Sequence, residues 1–159
     1  MVPGKQIAAT LVAAGGLLCM AQSAAAGESG SFTAIAVLTS SYTTLQQSGE
    51  TVFAGPSEGA SVVTESSGAP FTVGGRSEMR CVAYGRISAT GASLEAPCTA
   101  TASTSDELYL LSKRTGETGR TELLGGTGKY EGIAGTCDYE VARVSPKVNV
   151  TTAKCTWKR

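Results

Sequence analysis

Four cysteines at short, regular distances constrain the fold of this chain more than any other feature. Cys81 and Cys98 are 17 positions apart, and Cys137 and Cys155 are 18 positions apart. Four cysteines allow three disulfide connectivities. Residues that face one another in an antiparallel hairpin have a constant sum of residue numbers, so the midpoint of a bonded pair marks the turn. Each short spacing therefore predicts where a turn lies if its two cysteines are bonded.

The midpoints of both cysteine pairs fall on residues that are typical of turns. The first lies at 89–90, next to Gly91, and the second lies at Pro146. We therefore predict the disulfides Cys81–Cys98 and Cys137–Cys155, each between the two strands of a hairpin. A metal site at the same cysteines is disfavoured because the chain has no CxxC spacing and no histidine.

The second hairpin offers an independent check of this register. Bonding Cys137 to Cys155 places three further pairs opposite one another, which are Asp138 with Lys154, Gly135 with Trp157 and Tyr139 with Ala153. An opposite-charge pair and an aromatic ring over a glycine are both favourable cross-strand partners. These pairs support the predicted register, since they were not used to choose it.

The first 26 residues have the pattern of a secretory signal peptide. Lys5 precedes an apolar run over residues 7–20, and small residues lead to Ala26. The run is too short and too interrupted by glycine to favour a membrane span, and a retained N-terminal anchor is the alternative. We predict cleavage between Ala26 and Gly27 and export to the periplasm or the cell exterior. The fifth cysteine, Cys19, leaves with this segment, and the other four enter an oxidising compartment.

Residues 27–159 consist of many short β-rich runs separated by glycine, proline and serine. Serine and threonine alternate with Val, Ile, Ala and Tyr, and no long helical period is present. We predict one all-β domain, an antiparallel barrel of about eight strands, with a β-sandwich as the alternative. The Ser/Gly-rich stretch around 57–69 is expected to be a loop. The predicted strand runs are residues 31–38, 51–55, 61–65, 70–74, 79–87, 98–104, 107–113, 120–126, 133–144 and 147–158.

The composition excludes several classes of function. The chain has no histidine, and it carries 13 basic and 13 acidic side chains. Without histidine, Ser-His-Asp catalysis, Cys-His catalysis and histidine-ligated zinc are excluded. A zero net charge argues against a general nucleic-acid-binding protein. We therefore expect no metal, no cofactor and no nucleic-acid partner.

The run GGTGKYEGIAG at residues 125–135 is the densest motif of the chain. A phosphate-binding Walker loop needs glycine at position 123 and Ser or Thr after the lysine, where Leu123 and Tyr130 stand. The dinucleotide fingerprint also fails, because its third glycine comes one position late. We interpret the motif as a tight β-turn whose structural glycines are Gly125, Gly126, Gly128, Gly132 and Gly135.

The longer run LLGGTGKYEGIAGTCDYE, residues 123–140, resembles the penultimate hairpin of the dirigent and allene-oxide-cyclase superfamily. In that family a GGTGxFxGxxG-like run joins two barrel strands, and small exported bacterial members share the run and a signal peptide. The resemblance implies an eight-stranded antiparallel barrel with a central cavity. In the plant relatives that cavity binds a hydrophobic substrate, which is cyclised or guided in radical coupling. Their catalytic residues have no matching positions in this chain, and the paired cysteines depart from the plant pattern.

Candidate polar groups for such a cavity lie on two of the predicted strands. Arg80, Tyr84 and Arg86 share one face of the 79–87 run, and Glu107 and Tyr109 share one face of the 107–113 run. A tyrosine offers a flat apolar ring with one polar group. The alternative is that these faces point to water, which is the more common position of long polar side chains.

Three functions are compatible with this pattern, and a fold alone does not separate them. The first is non-catalytic binding of a small apolar or aromatic molecule inside the barrel. The second is a cyclase or isomerase of the allene-oxide-cyclase type, with Glu107 and Tyr109, or Asp138 and Tyr139, as acid and base. The third is a structural or surface protein of the cell envelope that holds no ligand. We favour the first, because no recognisable catalytic set stands out among these residues.

Overall fold

The computed structural model describes residues 27–159, and the predicted signal peptide lies outside the described residues. The described chain contains nine strands and one short 3-10 helix. In chain order these elements are β1 (Ser29–Ser40), β2 (Thr43–Gln47), β3 (Glu50–Ser66), β4 (Arg76–Ser88), β5 (Gly91–Ser103), β6 (Asp106–Thr115), β7 (Thr118–Gly126), η1 (Gly128–Tyr130), β8 (Ala134–Arg143) and β9 (Val148–Lys158).

Eight of these strands close a barrel and the ninth lies outside it. The strands are hydrogen-bonded in the order β1-β9-β8-β7-β6-β5-β4-β3, and pairing of β1 with β3 closes the ring. Strand β2 pairs with the first part of β3, where Thr43 faces Ala54 and Gln47 faces Glu50. Every one of these pairings is antiparallel. The predicted eight-stranded antiparallel barrel is therefore confirmed, and the sandwich alternative is wrong.

The two ends of the barrel differ in the connections that they carry. The hairpin turns β4–β5, β6–β7 and β8–β9 lie at one end, which we call the hairpin end. The connections β3–β4, β5–β6 and β7–β8 lie at the opposite end, which we call the plug end. This arrangement follows from the up-and-down order of the strands, since consecutive antiparallel strands reverse direction at each connection.

Alternation along each strand decides which side chains fill the barrel. In β4, Cys81 and Ala83 are buried, whereas Arg80, Val82 and Tyr84 are exposed. Successive residues of a strand point to opposite faces of a sheet, so one row of each strand faces inward. Many inward positions hold alanine, serine, threonine or cysteine, and such small side chains leave space at the centre of the barrel.

Both predicted disulfides are present, between residues that face one another in the sheet. Cys81 faces Cys98 with a Cα–Cα distance of 4.0 Å, and Cys137 faces Cys155 with a Cα–Cα distance of 3.9 Å. All four are buried. The hairpins β4–β5 and β8–β9 lie on opposite sides of the eight-strand ring, so the two disulfides face one another across the interior. Each therefore fixes a hairpin from inside the barrel.

The register predicted for the second hairpin is also confirmed. Asp138 faces Lys154, Tyr139 faces Ala153 and Gly135 faces Trp157. The Gly135–Trp157 pair was predicted to place the aromatic ring over the glycine opposite it. The Trp157 ring instead packs over Gly30 of β1, where a β-carbon would lie 3.0 Å from Trp157 Nε1. The strand on the other side of β9 therefore supplies the glycine that makes room for the indole.

Aromatic side chains close the plug end. Phe71, in the β3–β4 connection, stacks on Phe32 with ring centroids 3.8 Å apart, and its ring also lies 5.4 Å from Tyr130 and 5.9 Å from Trp157. We call these four residues the aromatic plug. All four are buried. The plug gives the barrel a packed floor.

Two sequence predictions about strand positions are wrong, and one strand was not predicted. Residues 70–74 form no strand and instead belong to the connection that carries Phe71 into the plug. The expected loop around 57–69 is mostly the second half of β3, which pairs with β1 from Ser40–Ser57 onward. Strand β2 was not predicted, because its five residues are all exposed and show no inward row.

Candidate ligand-binding cavity

A cavity of about 180 Å³ lies inside the barrel. Its middle is lined by both disulfides and by small or aliphatic side chains such as Ala96 and Leu110, and Phe32, Phe71 and Tyr130 of the aromatic plug border it below. No carboxylate lines this cavity among the residues that the structure describes. The lining is therefore mainly apolar, as in ordinary small-molecule sites.

Hydroxyl side chains occur at several levels of the cavity, since Ser57 and Thr121 face Cys81 and Cys137 in register, whereas Ser61 and Ser77 face one another nearer the plug end. The hydroxyls of Ser40 and Ser57 lie 2.9 Å apart and are buried, and those of Ser112 and Thr121 lie 2.7 Å apart. Each of these four hydroxyls therefore has one hydrogen-bond partner within the protein.

Arg114 is the cavity residue that the sequence analysis missed. It lies on the inward row of β6, in phase with Leu108, Leu110 and Ser112, and it is partly buried. Its register partners are Leu94 of β5 and Gly119 of β7. The parity of its residue number relative to the two buried leucines was the available signal, because inward positions of a strand repeat every two residues.

Tyr139 of β8 also faces the cavity from the hairpin end. Its ring is buried, and its hydroxyl donates to the carbonyl oxygen of Lys113 at 3.4 Å. Burial raises the pKa of the Tyr139 phenol, and the nearby positive charge of Arg114 opposes part of that rise. The phenol is therefore neutral at ordinary pH and acts as a hydrogen-bonding group at this end.

Three of the predicted ligand-binding residues lie on the outer surface of β4. Arg80 forms an ion pair with Glu78 at 2.8 Å, and Arg86 lies 3.6 Å from Glu50 and donates to the Tyr84 hydroxyl at 3.5 Å. All three side chains are exposed, so they do not line the cavity. They point away because Cys81 occupies the inward row of the same strand. Their position is therefore not the one in the cavity that the sequence analysis predicted, and their role in ligand binding stays a prediction.

Glu107 and Tyr109 lie together on the outer row of β6, as the sequence predicted, but not in the cavity. The Tyr109 hydroxyl donates to Glu107 Oε2 at 3.2 Å, and this bond raises the pKa of the Tyr109 phenol. A phenol whose proton is held in this way is a weaker proton donor near neutral pH. The pair is therefore a contact on the outer surface of β6.

Asp138 and Tyr139 lie on opposite faces of the sheet. They are consecutive residues of β8, so Asp138 points outward while Tyr139 points inward. The Asp138 carboxylate accepts from Arg120 Nε at 3.0 Å on the outer face. The expected cross-strand neighbour, Lys154, faces Asp138 in register, yet Arg120 of β7 makes the ion pair.

The glycine-rich motif is a structural turn at the plug end. Gly128 begins η1 with a positive φ of 57°, and a β-carbon there would collide with the Asp106 carboxylate. That carboxylate accepts the backbone N–H of Lys129 at 3.2 Å, which lowers the pKa of Asp106. Thr127 Oγ1 donates to the Ser105 carbonyl at 2.8 Å. The motif thus docks onto the β5–β6 turn.

An open groove of about 1500 Å³ lies along the hairpin-end halves of strands β4–β8 and beside β9, and its lining includes Arg114 and Tyr139, which also line the interior cavity. Charges of both signs line it, and several are already paired, as in Lys113–Glu95 and Arg120–Asp138. Exposed pairs of this kind contribute little to stability or binding on their own. We therefore place the candidate site in the interior cavity.

No group of three or more metal-ligating side chains occurs within residues 27–159. No helix in this part of the chain has the length and apolar character needed to cross a membrane. Two disulfides are typical of an oxidising, exported environment. No protein-family model, curated protein or solved structure matches this chain.

Proposed function

We propose that this chain is an exported carrier that holds one small apolar or aromatic molecule inside its barrel and does not transform it. The observation that supports this proposal is the interior cavity of about 180 Å³ with its mainly apolar lining. A cavity of about 150 Å³ lined by apolar side chains is known to bind benzene. The ligand is therefore the size of one aromatic ring or of a short aliphatic chain.

The chemistry of the lining supports binding without catalysis. Both acid–base pairs considered from the sequence have their carboxylates on the outer face, where Asp138 is paired with Arg120. Proton transfer needs the donor or acceptor within hydrogen-bond reach of the reacting atom. An interior ligand is separated from those carboxylates by the sheet.

Export and family membership belong to the same proposal. Residues 1–26 have the signal-peptide pattern, and the two disulfides suit the compartment that such a signal reaches. The eight-stranded barrel is the fold implied by the GGTGKYEGIAG resemblance to the dirigent and allene-oxide-cyclase superfamily. We therefore place the chain as a small exported relative of that superfamily.

Titration with toluene, followed by ¹H–¹⁵N correlation spectra of the oxidised protein, tests the binding proposal. We expect saturable shifts in the inward rows of the strands. The variant Ala96→Leu fills part of the cavity and should weaken toluene binding on the order of tenfold. The matched control is Ala60→Leu, because Ala60 lies on the outer row of β3 and is exposed. It should bind toluene as the wild type does.

Two results would overturn the carrier proposal. Absence of saturable binding to the folded wild type would favour a structural or surface protein instead. Equal weakening in Ala96→Leu and Ala60→Leu would show that toluene binds outside the barrel. Native mass spectrometry of protein from the exported fraction complements this test, because it reports both signal removal and any molecule that the barrel retains.

A further inference from the structure

The charged side chains of residues 27–159 lie outside the cavity lining, with one exception. Of the charged side chains in the described part of the chain, Arg114 is the one that lines the interior cavity; it is partly buried and also borders the open groove at the hairpin end. Its neighbours along β6, Lys113 and Thr115, are exposed on the outer row. A cation on the inward row of a barrel strand loses part of its hydration, and that loss requires compensation.

No internal partner compensates Arg114 within residues 27–159. Among the surface arginines of this part of the chain, Arg80, Arg86, Arg120 and Arg159 each form an ion pair with a carboxylate, whereas Arg76 and Arg143, both exposed to water, form none. Arg114 forms none, and its guanidinium makes no hydrogen bond to a described side chain or carbonyl group. The cavity lining also lacks a carboxylate in this part of the chain. The complement of this guanidinium is therefore missing from the protein itself.

We propose that the cavity ligand carries a carboxylate, which Arg114 binds at the hairpin end while the apolar part of the ligand enters the barrel. This inference rests on the proposed function, and it adds the chemical class of the ligand and its direction. A guanidinium presents two parallel N–H donors that match the two oxygens of a carboxylate. The ligand class is thus a small aromatic or short-chain carboxylic acid.

The surroundings of Arg114 suit a carboxylate head group. Asn149 lines the same end of the cavity, and its side-chain amide carries hydrogen-bond donors, whereas the Tyr139 hydroxyl beside it already donates to the Lys113 carbonyl. Beyond them the lining holds the Ser112–Thr121 hydroxyl pair, the disulfides, leucines and alanines, with Ser61 and Ser77 nearer the plug end. Toward the plug end the cavity is closed by aromatic rings. A carboxylate at the top and an apolar body below is the orientation that leaves neither end mismatched.

Calorimetric titration of the oxidised protein with hexanoate and with 1-hexanol tests this inference. The two probes share the apolar chain and differ in the head group, and hexanoate is ionised at pH 7. We expect Arg114→Gln to weaken hexanoate binding on the order of tenfold or more, since charge-assisted hydrogen bonds are lost. The same variant should leave 1-hexanol binding within about twofold. Arg114→Lys keeps the charge but loses the two-pronged geometry, so it should lie between the wild type and Arg114→Gln.

The matched control is Arg120→Gln on the outer face of the neighbouring strand, where Arg120 faces Lys113. It should bind both probes as the wild type does. Equal hexanoate affinity in the wild type and Arg114→Gln, with 1-hexanol bound by both, would overturn the carboxylate inference and leave the carrier proposal standing. Failure of toluene and of both probes to bind the folded wild type would overturn both. A thermal melt of Arg114→Gln confirms that the variant is folded before titration.

Discussion

The ring of Tyr139 lies over Gly119, so that a β-carbon at Gly119 would come within 2.5 Å of Tyr139 Cζ. The two residues face one another across β7 and β8. The glycine thus leaves the space that allows a bulky tyrosine to point inward at the hairpin end. Strand β7 leaves space at Gly119, and strand β8 fills that space with the Tyr139 ring.

Gly119→Ala should destabilise the barrel and displace the Tyr139 ring. The new methyl group meets both this ring and the carbonyl oxygen of Lys113, and overpacking of this kind costs about 1–3 kcal/mol. Denaturant unfolding of the wild type and the variant measures the change in the free energy of unfolding. In the double variant Gly119→Ala/Tyr139→Ala, the loss of unfolding free energy should be smaller than the sum of the losses in the two single variants. The reason is that no Tyr139 ring is left for the new methyl group to displace. Strict additivity would contradict the contact.

Removal of either disulfide should lower the free energy of unfolding by a similar amount. The loops closed by Cys81–Cys98 and Cys137–Cys155 span 17 and 18 positions, for which restriction of the unfolded chain gives about 3 kcal/mol each. Paired Cys→Ala variants of each bridge, compared by denaturant unfolding, test this value. Peptide mapping without reductant should recover only these two linkages. A peptide that joins Cys81 to Cys137 or Cys155 would contradict the structure.

Strand pairing in this chain was predictable from its sequence because cysteine spacing fixes a register by arithmetic. Once Cys81 is opposite Cys98, every neighbouring pair follows, and both hairpins have this register. The same arithmetic determines the face of each residue. Since Cys81 points inward, Arg80, Tyr84 and Arg86 must point outward, and applying this parity would have excluded them from the cavity. The position of each residue relative to Cys81 therefore indicated which side chains face the cavity, whereas the polar character of the residues did not.

Contacts between distant segments were not predictable in the same way. Residues 70–74 have the β-rich composition of a strand, yet Phe71 folds back on Phe32 to close the plug end. Nothing in the local pattern distinguishes an aromatic residue that continues a sheet from one that fills the end of a barrel. Arg114 is a related case, because its significance depends on the absence of a carboxylate around a cavity that several strands build together.

Phe71→Ala should be among the most destabilising single substitutions. The ring is buried and contacts the other three members of the aromatic plug, so its loss leaves a void in the barrel floor. Phenylalanine-to-alanine changes at such sites cost about 3–5 kcal/mol. Val73→Ala in the same connection is the matched control, because Val73 is 65% exposed and should change stability by less than about 0.5 kcal/mol. Similar losses in the two variants would argue against a plug.

Acid sensitivity should depend in part on Asp106 at the plug end. Its carboxylate accepts the backbone N–H of Lys129, which lowers its pKa in the folded protein below the value in the unfolded chain. A lowered folded-state pKa gives stability that is present above the unfolded pKa of about 3.9 and is lost as pH falls through the folded pKa. Asp106→Asn keeps an acceptor oxygen but no longer titrates, so its melting temperature should fall less steeply than that of the wild type below about pH 4.

Lys129→Met separates the two contributions that Lys129 makes to the lowered pKa of Asp106, one from its ammonium group and one from its backbone N–H. Its ammonium group lies 3.8 Å from Asp106, whereas the backbone N–H, the larger cause of the lowered pKa, remains after substitution. The variant should therefore keep most of the acid sensitivity that Asp106→Asn loses. Melting temperatures of the three proteins between pH 2 and pH 7 give the comparison. If Asp106→Asn loses stability in acid as steeply as the wild type, the turn is not held by the ionised carboxylate. If Lys129→Met behaves like Asp106→Asn, the ammonium group rather than the backbone hydrogen bond holds the docked turn.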